Sequence, residues 1–129
     1  MKNEKIIVKS YKNGESVLKN KSYEFAITIV KTAQPLIATH KEFILSKQLL
    51  RSGTAIGALI REAEFAQSKL DFINKLSIAL KEANETQYWI SLLKDTSYLS
   101  EEVSKDLMKA CNELISMLVA SIKTAKANK

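Results

Sequence analysis

Glycine and proline are scarce in this chain of 129 residues, at three and one, and cysteine occurs once, as Cys111. So few chain breakers exclude a fold of many short strands and turns and imply a few long elements. A lone cysteine excludes a disulfide framework and a thiolate metal site, and points to the reducing cytoplasm. Cys111 itself reads as an inert core residue. The one histidine, His40, falls in a loop between helical segments, and without a second partner it gives acid–base or metal chemistry little to build on. Apolar runs are short as well. None approaches the roughly 18 residues of a membrane span. The opening MKNEKIIVKSYKNG also lacks the apolar centre of a signal peptide. The expectation is a cytoplasmic protein with no membrane partner.

What is present is ordinary in amount and uneven in place. Apolar residues at 46% and charged residues at 26% fit one soluble domain able to bury a core. The net charge of +6 is concentrated at the ends. Residues 1–21 carry +4 and residues 123–129 carry +3, leaving residues 22–122 at −1. A basic N-terminal arm over 1–20 and a bundle domain over 21–126 follow.

Apolar periodicity and caps predict four helices, over about 22–39, 43–66, 68–95 and 100–124. Ser22 is the expected N-cap of the first, its core stripe is Ala26, Ile29, Val30, Ala33, Leu36 and Ile37, and Pro35 should kink it or end it early. The second carries Leu45, Leu49, Ser52, Ile56, Ile60 and Ala63. The third opens on a near capping box, Ser68 to Asp71, with Asp71/Lys75 and Lys81/Glu85 spaced as surface pairs. Glu101 and Glu102 favour the start of the fourth, whose stripe is Val103, Leu107, Ala110, Cys111, Leu114, Leu118, Ser121 and Ile122. Lys5 to Tyr11 reads either as a short strand or as an irregular arm. Short connections make an all-α, antiparallel up-down-up-down four-helix bundle the economical fold. In it the first helix starts where the fourth ends, so both basic tails meet at one pole.

Two features exceed what a bundle core needs. Gly53 and Gly57, one helical turn apart beside the second stripe, invite close approach by another helix. That helix is either a neighbour in the same chain or one across a subunit boundary. On the third helix, Ile78, Trp89 and Leu92 lie off the core stripe and form a second apolar strip for a partner or a further copy. These five residues are the expected oligomer interface.

Chemistry finds little support. The two glycines are followed by no Lys-Ser/Thr and preceded by no strand, so they are not a phosphate loop. Glu62, Glu82 and Glu85 lack the Glu-x-x-His pattern of di-iron bundles. Glu62 reads as solvated charge, or as a latch to Arg51, Arg61 or Lys75. No catalytic residue, cofactor or metal is expected, and the chain is read as a non-enzyme. For RNA or DNA, the cations available are the tail lysines, including Lys2, Lys5, Lys9, Lys12, Lys19, Lys21, Lys123, Lys126 and Lys129, together with Arg51 and Arg61.

SYEFAITIVK from Ser22, the run LSKQLLRSGTAIGALIREAEFAQSKLDFINKLSIALKEANETQYWISLL from Leu45, and the following KDTSYL resemble the four helix bundle protein family. Its members include proteins encoded in intervening sequences of bacterial 23S ribosomal RNA genes. The resemblance covers roughly residues 16–122. It implies an antiparallel bundle, a homopentameric ring and no enzymatic activity. It also implies similarity to the accessory variability protein of diversity-generating retroelements, a basic pentameric bundle that binds nucleic acid and a reverse transcriptase. On that basis a nucleic-acid or nucleoprotein partner is expected. The alternative is a protein-interaction module that docks a partner helix on the surplus apolar strip. The near-neutral body departs from the uniformly basic surface of the retroelement protein.

Overall fold

A computed structural model describes the backbone of residues 2–128 and the side chains of residues 17–128. Four helices follow one another, α1 (Lys2–Ala38), α2 (Ile44–Glu64), α3 (Lys69–Asp95) and α4 (Glu101–Ala127). Each packs on its chain neighbours, and α1 closes the ring against α4, while no contact joins α1 to α3 or α2 to α4 among the described residues. This is the square, antiparallel four-helix arrangement that the apolar stripes require.

Each helix end has an identifiable cause. Ser68 accepts from the Asp71 N–H at 3.0 Å, and Asp71 accepts in turn from the Gln67 N–H at 3.3 Å, so the anticipated capping box forms with a slightly earlier partner. Ser100 caps α4 through the Val103 N–H at 3.1 Å. The start of α2 is capped otherwise. Its boundary residue Phe43 offers no side-chain acceptor, and Glu42 instead takes the N–H groups of Ile44, Leu45 and Ser46 and the Ser46 hydroxyl. Burial pulls the Glu42 carboxyl up, but those donors together hold it below the usual carboxylate range. In a chain so poor in glycine, α3 ends on Ser97 at φ 70, with Tyr98 N–H bonded back to the Leu93 carbonyl and Ser97 N–H to that of Lys94.

The first helix differs most from its sequence reading. It begins at Lys2, so the backbone of residues 2–20, Lys5 to Tyr11 included, is helical, and no strand interrupts it. Ser22 is no cap. It is buried in mid-helix, and its hydroxyl donates to the Lys19 carbonyl at 3.0 Å. Pro35 stands within the last turn, where α1 is about to end, so the lost N–H costs one bond rather than the helix. The inward face is also rotated from the expected stripe. Leu18 and Phe25 are buried with Ile29, Ala33 and Leu36, whereas Val30 is exposed and Ala26 half-buried. Val103 of α4 is likewise exposed. The remaining core follows the stripes, with Leu49, Ile56 and Ile60 meeting Leu76, Ile90, Leu107, Leu114 and Leu118.

Two ends of the bundle are thereby defined. At one, the loops after α1 and α3 meet, with exposed His40 edge-on to Tyr98 at 6.3 Å. Midway along, Lys21 of α1 pairs with Glu113 of α4, and toward the other end Leu18 and Ser121 line one small apolar cavity with Ile60 and Leu76. The antiparallel crossing of α1 and α4 therefore brings the C-terminal turns of α4 alongside the N-terminal half of α1. Among the described residues no helix is long and apolar enough to cross a membrane.

Candidate functional site

The glycines resolve first. A methyl group built on Gly53 would stand 2.9 Å from two carbons of Ile29, a fully buried α1 residue, so the close approach is made by the chain's own first helix. Gly53 is buried there and has no surface left for a second subunit. This corrects its assignment to an oligomer interface. At Gly57 the neighbour is the α1 backbone, with Ser22 O at 3.3 Å, and the residue stays half-exposed. Both belong to the α1/α2 seam.

The opposite flank of α2 is polar. Arg51 reaches α3, holding Glu82 at 3.2 Å and also Glu85, whose carboxylate accepts in addition from Trp89 Nε1 at 3.1 Å. Beneath them the buried Thr86 and Ser52 hydroxyls pair at 2.9 Å, and Thr86 also meets the Glu82 carbonyl at 2.7 Å. Lys75 of α3 reaches Glu62 of α2 at 3.7 Å. The surface pairs expected within α3 therefore give way to partners on α2: Lys75 turns from Asp71, which caps its own helix, and Glu85 turns from Lys81 toward Arg51. Ile78 is 44% exposed on this side, while Trp89 and Leu92 are half-buried.

The cations named from sequence are placed unequally. Lys19 pairs with Glu64 at 3.1 Å, Lys21 with Glu113, and Arg51 with two carboxylates. The hydrogen bond and charge of Lys21 hold the Glu113 carboxyl below its ordinary range. Lys123 and Lys126 are exposed on the last turns of α4 and make no ion pair among the described residues. The side chains of Lys2, Lys5, Lys9 and Lys12, and all of Lys129, lie outside the described residues. Arg61 also makes no ion pair among the described residues. Its guanidinium stands over the Tyr23 ring of α1, 5.9 Å from the centroid.

Around that contact runs a groove of about 300 Å³, formed by Lys19, Tyr23 and Ala26 of α1 and Thr54, Gly57, Ala58 and Arg61 of α2. Among the described residues its lining has two cations, one aromatic ring and no carboxylate. Sequence reasoning named both cations but not Tyr23, because an aromatic beside a core stripe gives no hint of facing outward until the helix is rotated into place. Cys111 is fully buried, and desolvation pushes its thiol up to about 12, which leaves it protonated at neutral pH.

Such a molecule defines a class: an all-α bundle whose distinctive groups are arrayed on helix flanks. The chain belongs to the 23S rRNA-intervening sequence protein family, which matches it over residues 15–120. It is similar to a protein with unknown function from the S23 ribosomal protein family of Bacteroides thetaiotaomicron VPI-5482. The two share 53% sequence identity with a TM-score of 0.84 over 85% of this chain and 98% of the other. No curated protein matches the chain.

Proposed function

We propose that the protein is a non-enzymatic, homo-oligomeric helical scaffold, a pentameric ring in the cytoplasm, that binds RNA or DNA or a nucleoprotein through cations at one pole. The observation that carries this reading is the antiparallel closure of α1 on α4, through Lys21 and Glu113. The cavity shared by Lys19 of α1 and Ser121 of α4 supports a common pole for Lys19 and the α4 end that carries Lys123 and Lys126. The concentration of positive charge in the two terminal segments supports it further. In a ring, the poles of several copies add, and a weak patch becomes a multivalent one. Affinity for RNA and DNA oligonucleotides, measured across a salt series, tests it. The reading predicts a steep loss of binding with salt, and salt-independent binding or none at low salt contradicts it. Light scattering should return five times the chain mass, and a monomer would remove the ring.

A second reading is favoured by the exposure of Ile78. With Gly53 enclosed within the chain, Ile78, Trp89 and Leu92 remain as an apolar strip that a partner's helix could cover instead of a further copy. A monomer without nucleic-acid affinity that captures a partner helix would select it.

A further inference from the structure

We propose that the groove between α1 and α2 is a contact site for an unpaired stretch of nucleic acid, with Tyr23 as the stacking platform for a base and Arg61 and Lys19 as the phosphate contacts. This rests on the nucleic-acid reading above and gives it a place and a strand preference.

Three observations carry it. Tyr23 is 58% exposed although it is a large aromatic on a helix whose inward face is filled by Phe25 and Ile29. Its ring lines the groove at the seam. Second, the cation over that ring is held loosely. Arg61 stands 5.9 Å from the ring centroid and has no carboxylate partner among the described residues. A guanidinium in that position is free to stack on a base or to turn its fork of N–H donors to a phosphate. Third, the lining has the required charge and shape. Lys19 of α1 and Arg61 of α2 both line the groove, no acid lines it among the described residues, and Gly57 keeps the floor low where any side chain would rise over Ser22. Lys19 holds Glu64, but that pair is exposed and an incoming phosphate displaces it at small cost.

The combination of an aromatic face with flanking cations is what single strands require, because an unpaired base exposes its ring and a paired one does not. Duplex DNA would use the cations alone. A purely acidic peptide would use them too, but would draw nothing from Tyr23. The aromatic therefore separates the occupants.

The test is fluorescence anisotropy of a short labelled oligo(dT), its duplex with oligo(dA), and polyglutamate as competitor, over a salt series, with the full chain. Tyr23→Ala is expected to weaken single-strand binding about tenfold, a typical loss for one stacked base, with the salt slope unchanged. Tyr23→Phe keeps the ring and should bind within about twofold of the parent chain, given that stacking needs only the π face. Arg61→Ala should both weaken binding and reduce the salt slope by about 0.7, the value for one phosphate contact on a single strand. Ala58→Glu, at an exposed position where the helix tolerates it, places a carboxylate in the groove and should abolish single-strand binding. Duplex binding should ignore Tyr23→Ala. If the parent chain binds oligo(dT) but Tyr23→Ala and Ala58→Glu bind equally well, the groove is overturned while nucleic-acid binding survives. If the parent chain binds no oligonucleotide at low salt, both fall. Polyglutamate competing with the same dependence on Tyr23 would also overturn the assignment.

Discussion

Along its α1 flank, α2 presents Gly53 and Gly57 and lets a helix close to contact distance, and along its α3 flank it presents Arg51, Ser52 and Glu62 and is tied by ion pairs and hydroxyls. The first seam is held mainly by shape, with one exposed ion pair, Lys19 to Glu64, at its end. The second is held by partners. A seam of partners uses its charges internally: Arg51 pairs with both Glu82 and Glu85, and Trp89 joins them through its N–H. A seam of shape has no internal use for Arg61 and Tyr23, which remain on its outer edge. Hence the two flanks of one helix differ in what they can offer to another molecule, and the one whose groove lining holds no carboxylate among the described residues carries the proposed site.

Perturbing the shape-held seam should have the largest effect. Gly53→Val drives branched methyls into Ile29, whose atoms already stand 2.9 Å from a first carbon and are enclosed on every side. A loss of about 3 kcal/mol is expected from overpacking, measured by urea unfolding. The cap that both seams share comes next. Glu42→Ala removes the acceptor for three N–H groups at the start of α2, at a cost of about 1 kcal/mol. The Glu42 carboxyl is depressed on folding, so its contribution is present above the unfolded carboxylate value and is lost as pH falls through the folded one. The stability difference between parent and variant should accordingly shrink in acid, as read from denaturation midpoints at neutral and low pH.

On the partner-held flank the effect is smaller. Arg51→Ala should cost less than about 1 kcal/mol, because half-exposed pairs with Glu82 and Glu85 are screened by solvent. High salt should narrow that difference further. Gly57→Ala should be nearly neutral, within about 0.5 kcal/mol. Helix propensity gains about what a Cβ at 3.3 Å from Ser22 O loses. A large loss at Gly57 together with a small one at Gly53 would reverse the contrast between enclosed and open halves of the glycine seam.

Much of this architecture is legible in the residues. The caps Ser68 and Ser100 and the stripes of α2 and α4 are local signals, set by neighbours one to four positions away, and they hold apart from Val103. The start of α1 is not local. Ser22 carries the right side chain for a cap, yet it sits in mid-helix, where its hydroxyl turns to the carbonyl behind it and Gly57 of another helix packs over it. Rotation of α1 is set the same way. Phe25 wins the interior over Val30 because of what α2 and α4 present, which no pattern within α1 records. The same rotation decides the site: Lys19 and Arg61 are visible as cations in the chain, but their convergence on Tyr23 exists only once α1 has turned that ring to the seam.

The most direct test of the unequal flanks is photocrosslinking of a single-stranded oligonucleotide to the intact protein, with the attached peptides mapped by mass spectrometry. Attachment should concentrate on the peptides holding Tyr23 and Arg61 and be absent from those holding Ile78 and Trp89. Attachment confined to the α3 flank, or to the terminal segments alone, would contradict the account.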